Sequence, residues 1–206
     1  MDSSKDYYKI RNLCGLLGMA LPFLALLSGA LIKVKPSAQW WWSISATYYL
    51  SHALTMVLSA ASIVLITYDG YDWRDKLITD LSGVFGYGII TFPCKVNWIS
   101  GDVGFFQLPI DISNIIHCVS AGAFFSLLAI NSFFLFTLGE SNTPEKAKRN
   151  IIYKTCGVGI FVTAILMVIL QKFLGGWVTM IAETIMLQFF GISWCTKGGM
   201  WLRDKK

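Results

Sequence analysis

Charge is scarce in this sequence: 14% of its 206 residues are Asp, Glu, Lys or Arg, too few to clothe a soluble globular domain. It has two histidines and five cysteines, without a CxxC pair, an HExxH run or any Cys/His spacing that metal sites use. No strand-period alternation runs through the apolar stretches, which excludes a transmembrane barrel. No internal repeat, low-complexity tract or linker divides the chain. Its net charge of +5 comes from basic residues scattered at the ends of apolar segments, and that scatter argues against a nucleic-acid partner.

What is present is apolar sequence in long runs, with 55% hydrophobic residues and a mean hydropathy of +0.58. Six runs stand out, at about 13–32, 45–68, 77–94, 112–137, 153–173 and 177–195. Each can cross a hydrocarbon core of roughly 30 Å at about 1.5 Å per helical residue. Backbone groups in lipid must be bonded within their own segment, so helix is the form these runs take. The expectation is an all-α polytopic bundle of six transmembrane helices, one membrane domain over residues 1–206 with membrane lipids as its surroundings. The first run, Leu13 to Ile32, is longer than the apolar part of a secretory signal and reads as a retained span.

Lys and Arg fix the orientation. The N-terminus, the loop with Arg74 and Lys76, the segment with Lys146, Lys148, Arg149 and Lys154, and the tail from Lys197 to Lys206 hold thirteen of the seventeen. Lys33, Lys35, Lys95 and Lys172 hold the rest. The richer side, with both termini, is expected in the cytoplasm. Trp40, Trp41, Trp42, Tyr48 and Tyr49 fall at the outer interface as anchors, and the outer loop from Lys95 to Asp111, with Trp98, Phe105 and Phe106, is expected on the membrane surface. Gly175 and Gly176 suit a tight turn. Asp80, four residues after Lys76, suits a helical ion pair. Gly15, Gly18, Gly83, Gly86, Gly88 and the run Ser120 to Ala123 read as close-packing surfaces; Phe85 to Gly88, in mid-span, lacks the re-entrant loop of a potassium filter. The cysteines read as small core residues, with a Cys94–Cys118 disulfide left open by their shared outer position.

Ionisable side chains within spans are costly and therefore informative. Ser45, Tyr48, His52 and Ser59 share one face of the second span, Asp111, Asn114, His117 and Ala121 one face of the fourth, and Thr179 and Glu183 lie one turn apart in the sixth. His117 and Glu183 fall roughly 8 to 10 Å below the outer boundary, with His52 deeper. Were these helices packed together, Ser45, Tyr48, His52, Asn114, His117 and Glu183 would line a polar cavity open to the outside. Three uses of it stay open. His52, His117 and Glu183 are ligand types of a catalytic zinc. A His and Glu pair can relay protons or bind a substrate. The same groups can simply bond neighbouring helices and hold the bundle in register.

The stretches Ser43-Ile44-Ser45-Ala46-Thr47-Tyr48-Tyr49, Tyr68-Asp69-Gly70-Tyr71-Asp72 and Gly191-Ile192-Ser193-Trp194 resemble markers of an uncharacterised bacterial family of six-span membrane proteins. The layout, an extended outer loop ending in an Ile-Ser motif, is similar to DRAM/Sfk-like membrane proteins. The resemblance implies a six-helix bundle in a bacterial cytoplasmic membrane and assigns no reaction. Ser and His in early spans suggest a more distant likeness to seven-span hydrolases such as alkaline ceramidases, whose C-terminal His pair and seventh span this chain lacks.

The functional expectation is a non-enzymatic, cofactor-free membrane protein that binds, senses or moves a small polar or lipid-derived ligand through an outward cavity. Its rivals are a membrane-embedded metal-dependent hydrolase and a structural or pore-forming partner protein.

Overall fold

The computed structural model describes residues 3–70, 72–139 and 143–202. Tyr71 of the second marker and the tail residues Arg203, Lys205 and Lys206 lie outside them. Six helices follow in order: α1 (Ser3–Ala30), α2 (Ala53–Thr67), α3 (Trp73–Thr91), α4 (Ile110–Ile130), α5 (Pro144–Leu174) and α6 (Trp177–Lys197). Among the described residues, four apolar segments are long enough to cross a membrane: Tyr8–Ala30, Ile110–Leu135, Pro144–Leu174 and Trp177–Lys197. The protein is all-helical with several membrane-length helices.

α2 and α3 fall short of that standard for separate reasons. α2 has 15 residues, about 22 Å of helix. α3 spends its first turns on Arg74, Asp75, Lys76 and Asp80, which dilutes its apolar window. Lys76 bonds Asp80 at 2.5 Å, as the spacing suggests, and also the Ile66 carbonyl of α2 at 2.6 Å. The side chain of Asp72 caps α3 by accepting the N–H groups of Arg74 and Asp75.

Helical contacts run α1–α2, α2–α3, α3–α4 and α4–α5, and α6 closes the bundle between α5 and α1. Close approach sets the α1–α6 seam. A Cβ on Gly191 would fall 2.6 Å from the Gly15 carbonyl oxygen, and one on Gly15 2.8 Å from that of Gly191. Gly83 and Gly86 lie against Ser62 and Ile66 of α2, and Gly88 against Ser120 of α4. Gly122 departs from the packing expectation: a Cβ there would meet nothing within 4 Å.

One end of the bundle gathers the start of α1 and the end of α6. Trp194 is fully buried there with Tyr68 and Phe136 edge-on at 5.2 and 5.4 Å. Arg11 bonds the Tyr68 hydroxyl, Lys197 the Phe136 carbonyl, and Asn12 the Gly198 carbonyl. The last turn after α4 widens at Asn131–Leu135, with the Phe136 N–H reaching the Asn131 carbonyl, and Ser132 bonds Ser193 of α6 at 2.7 Å.

The opposite, loop end carries residues 31–52 and 92–109. Lys35 folds back to cap α1 through the carbonyls of Gly29 and Ala30, and lies over the Trp40 ring. A two-stranded antiparallel ladder, Asp102–Val103 (β1) with Leu108–Pro109 (β2), turns through Gly104 at φ +75°. Its tip residue Phe105 is 81% exposed, while Phe106 stacks on Phe92. No sequence pattern announced this hairpin. The cysteines are all free thiols, Cys94 and Cys118 included.

Candidate functional site

The continuous second span expected from about residue 45 to 68 is broken. Ser45–Tyr49 form a 3₁₀ turn, and α2 starts only at Ala53. Hydroxyls cause the break. Thr47 bonds the Ile44 carbonyl at 2.6 Å, and Ser51 accepts the Ala53 N–H while pairing with Ser28 of α1 at 2.6 Å. Such local bonds offer the backbone an alternative to the helical ladder. The one-face stripe Ser45, Tyr48, His52 and Ser59 therefore does not exist.

The loop ahead of this turn lies on the start of α6. The Trp42 carbonyl accepts the Met180 N–H at 2.9 Å. One turn along α6, Glu183 accepts the Ile44 N–H at 2.7 Å and the Ser43 hydroxyl at 3.0 Å. Ser43 in turn accepts the Ser45 N–H at 3.0 Å. Glu183 thus serves as a side-chain cap for the 3₁₀ turn, satisfying a donor the turn itself leaves unpaired. Among the described residues no Lys or Arg pairs with it.

On α4, His117 is buried with its Nδ1 between the carbonyls of Ile89, 3.1 Å, and Phe92, 2.9 Å. Both are acceptors freed at the end of α3, so Nδ1 carries the hydrogen and Nε2 presents a lone pair. The segment after α3 is pinned by neighbouring side chains. Ser113 bonds the Pro93 carbonyl, Asn114 accepts the Lys95 N–H, and Tyr49 bonds the Cys94 carbonyl, at 2.8, 2.8 and 2.9 Å.

Between these anchored pieces lies a cavity of about 650 Å³, walled by α4, α5 and α6 and roofed by the two loops. Glu183, His117, Asn114 and Ser45 line it. Four of the six sequence-derived residues come together. Tyr48 instead borders a separate shallow depression with Thr55, Phe105 and Phe106. His52 lies just before α2 with its side chain exposed, away from the cavity. Its displacement follows from the broken span: once the helix restarts at Ala53, the phase that would have aligned His52 with Ser45 is lost. The triad His52, His117 and Glu183 required for the zinc reading does not converge.

Sequence reading missed several lining residues. Ser43 was legible only as part of a marker stretch. Gln39, Trp42, Lys95, Trp98 and Gln171 reach the cavity from loops or from the end of α5. One signal was available: Asn114, Cys118, Gly122 and Ser126, all lining residues, recur every four positions as a polar or small stripe on α4. The cavity is polar toward the loop end and apolar at depth, where Phe125, Met167 and Met186 line it. Lys95 is engaged with Asp111 at 2.7 Å in an exposed pair. This arrangement sets Glu183 and His117 beside amide and hydroxyl groups of Gln39, Asn114, Gln171 and Thr179, which together can both accept from and donate to a ligand. Comparison with family models, curated proteins and solved structures finds no match to this chain.

Proposed function

We propose that this chain is a multi-pass protein of a bacterial cytoplasmic membrane that crosses six times, keeps both termini inside, and binds a small polar or lipid-derived ligand in the outward-facing cavity without chemistry of its own. The observation that carries the binding reading is the shared cavity of Glu183 and His117. Each is held by neighbouring groups, Glu183 by the Ile44 N–H and His117 by the Phe92 carbonyl, and both line the same space. A side chain fixed by a second set of bonds is preorganised for recognition.

The orientation rests on the positive-inside rule: Arg11, Arg74, Lys76, Lys146, Arg149 and Lys197 belong to the end with the termini, and the cavity is at the other. The six-span count assigns α2, with its preceding 3₁₀ turn, and α3 to crossings alongside the four longer helices. The resemblance to the bacterial six-span family and to DRAM/Sfk-like proteins supports the topology and adds no reaction.

The test is native mass spectrometry of the full chain released from its membrane. A small bound species should accompany the wild type and be lost from Glu183→Gln and His117→Ala while both variants stay folded. If all three carry the same bound species, the cavity is not the binding site and the groups serve only to hold the bundle together.

A further inference from the structure

The cavity also opens sideways. α4 and α5 approach closely where α4 ends. There a Cβ on Gly157 would fall 2.9 Å from the Ala129 carbonyl oxygen and 2.7 Å from the Phe133 Cβ, and the last buried residue of α5 is Ile160. Toward the loop end the two helices part. Cys118, Gly122 and Ser126 of α4 then face Ala164, Val168 and Gln171 of α5 across the cavity. The α4 residues recur at intervals of four and the α5 residues at four and then three, so each set shares one helical face.

Three of these lining residues also belong to the outer surface of the protein. Cys118 and Gly122 are exposed, and Val168 is 50% exposed. Gly122 lies eleven residues beyond Asp111, about 16 Å along the helix and so near the middle of a hydrocarbon core of roughly 30 Å. At that depth an opening between helices faces acyl chains. The slot therefore joins a hydrocarbon medium to a chamber lined by Glu183 and His117 together with Gln39, Asn114, Gln171 and Thr179, whose amide and hydroxyl groups donate as well as accept. Lys95, the cation at the rim, is already paired with Asp111. An anionic head group would find the one lining cation already paired, whereas hydroxyl groups, which both donate and accept, match these partners.

We infer that a lipid with an uncharged, hydroxyl-bearing head group enters between α4 and α5, with its head against Glu183 and His117 and its acyl chain along Gly122 and Val168. The inference rests on the ligand-binding reading above and names its ligand class and route. Gly122 is the threshold: a Cβ there meets open space, so a large side chain can be accommodated by the fold while filling the slot.

The experiment uses the full chain in phosphatidylcholine nanodiscs and a monoacylglycerol carrying a mid-chain diazirine. Photolabelling should fall on Cys118, Gly122 and Ser126 and on Ala164, Val168 and Gln171, and be competed to background by unlabelled monoacylglycerol. It should be competed weakly by the fatty acid anion of equal chain length. Gly122→Trp, and independently Val168→Trp, should abolish the competed labelling without lowering the thermal midpoint. Labelling that resists competition and spreads over outward residues such as Ile165 and Ile169 is ordinary bilayer contact and overturns the inference. Glycerol alone separates the two readings: if it protects a Thr179→Cys thiol from labelling equally in wild-type and Gly122→Trp backgrounds, and the lipid probe does not compete, the cavity binds a ligand from water and lateral entry fails. No protection and no competed labelling contradict both.

Discussion

Oε2 of Glu183, on α6, accepts the backbone N–H of Ile44 at 2.7 Å, and through that bond the loop before α2 is fastened to the last helix of the chain. Residues 139 positions apart are joined in this way. The carboxylate has a structural duty as well as a place in the cavity, and substitutions can separate the two. Glu183→Ala leaves the Ile44 N–H and the Ser43 hydroxyl without their acceptor and should cost about 1–3 kcal/mol. Glu183→Gln keeps an acceptor oxygen in place and should cost less. Thermal unfolding in detergent compares them; an alanine variant as stable as wild type means the loop is held by other contacts.

The two histidines should behave oppositely. His52 is exposed and outside the cavity, so His52→Ala should lie within about 0.5 kcal/mol of wild type. His117→Ala removes the donor shared by the Ile89 and Phe92 carbonyls, with a loss of about 1–3 kcal/mol. Zinc titration of the purified protein adds a second readout, since no metal uptake should depend on His52. Equal destabilisation by the two substitutions, or zinc binding abolished by His52→Ala, would restore the triad.

Glycines divide in the same manner. Gly191→Val places atoms against the Met19 side chain and the Gly15 carbonyl, where even a Cβ falls 2.1 and 2.6 Å from its neighbours, and should cost at least about 1–3 kcal/mol through forced separation of α1 and α6. Gly122→Ala meets no neighbour and should stabilise α4 by up to about 1 kcal/mol, the ordinary gain of alanine over glycine within a helix. Chemical denaturation ranks the pair. Should Gly122→Ala prove as damaging as Gly191→Val, the gap beside α4 is closed by something in the folded protein.

Much of this architecture was legible because lipid makes the sequence speak in long apolar runs. The helix α6 and α4 with its following turn were read within two residues at each end, whereas α5 begins at Pro144, nine residues before the expected span; Asn114, His117 and Glu183 reached one cavity because helical phase carries over an unbroken segment. Ser45 reached it by another route. Its stretch is apolar enough to look like the start of a span, yet Thr47, Ser51 and the distant Glu183 take its backbone groups out of the helical ladder. A bond between Ile44 and Glu183 has no local signature, so the break was invisible, and His52 and Tyr48 were misplaced with it. The hairpin at Asp102–Pro109 escaped for a similar reason: two residues per strand leave no alternation to detect. The proposed lateral slot depends on where α4 and α5 part; the close approach at Gly157 has no signature in the sequence, and the stripe Cys118, Gly122 and Ser126 on α4 was its one visible sign.

Water access to the cavity from outside is the most direct test. In a variant lacking the native cysteines, single cysteines at Thr179, Ile169 and Gly101 are challenged on intact cells with a membrane-impermeant thiol reagent. Thr179→Cys should react, since it lines the cavity near its mouth; Gly101→Cys should react as a loop control; and lipid-facing Ile169→Cys should not. Reaction at Gly101 without reaction at Thr179 means that no aqueous chamber reaches Glu183 from that side.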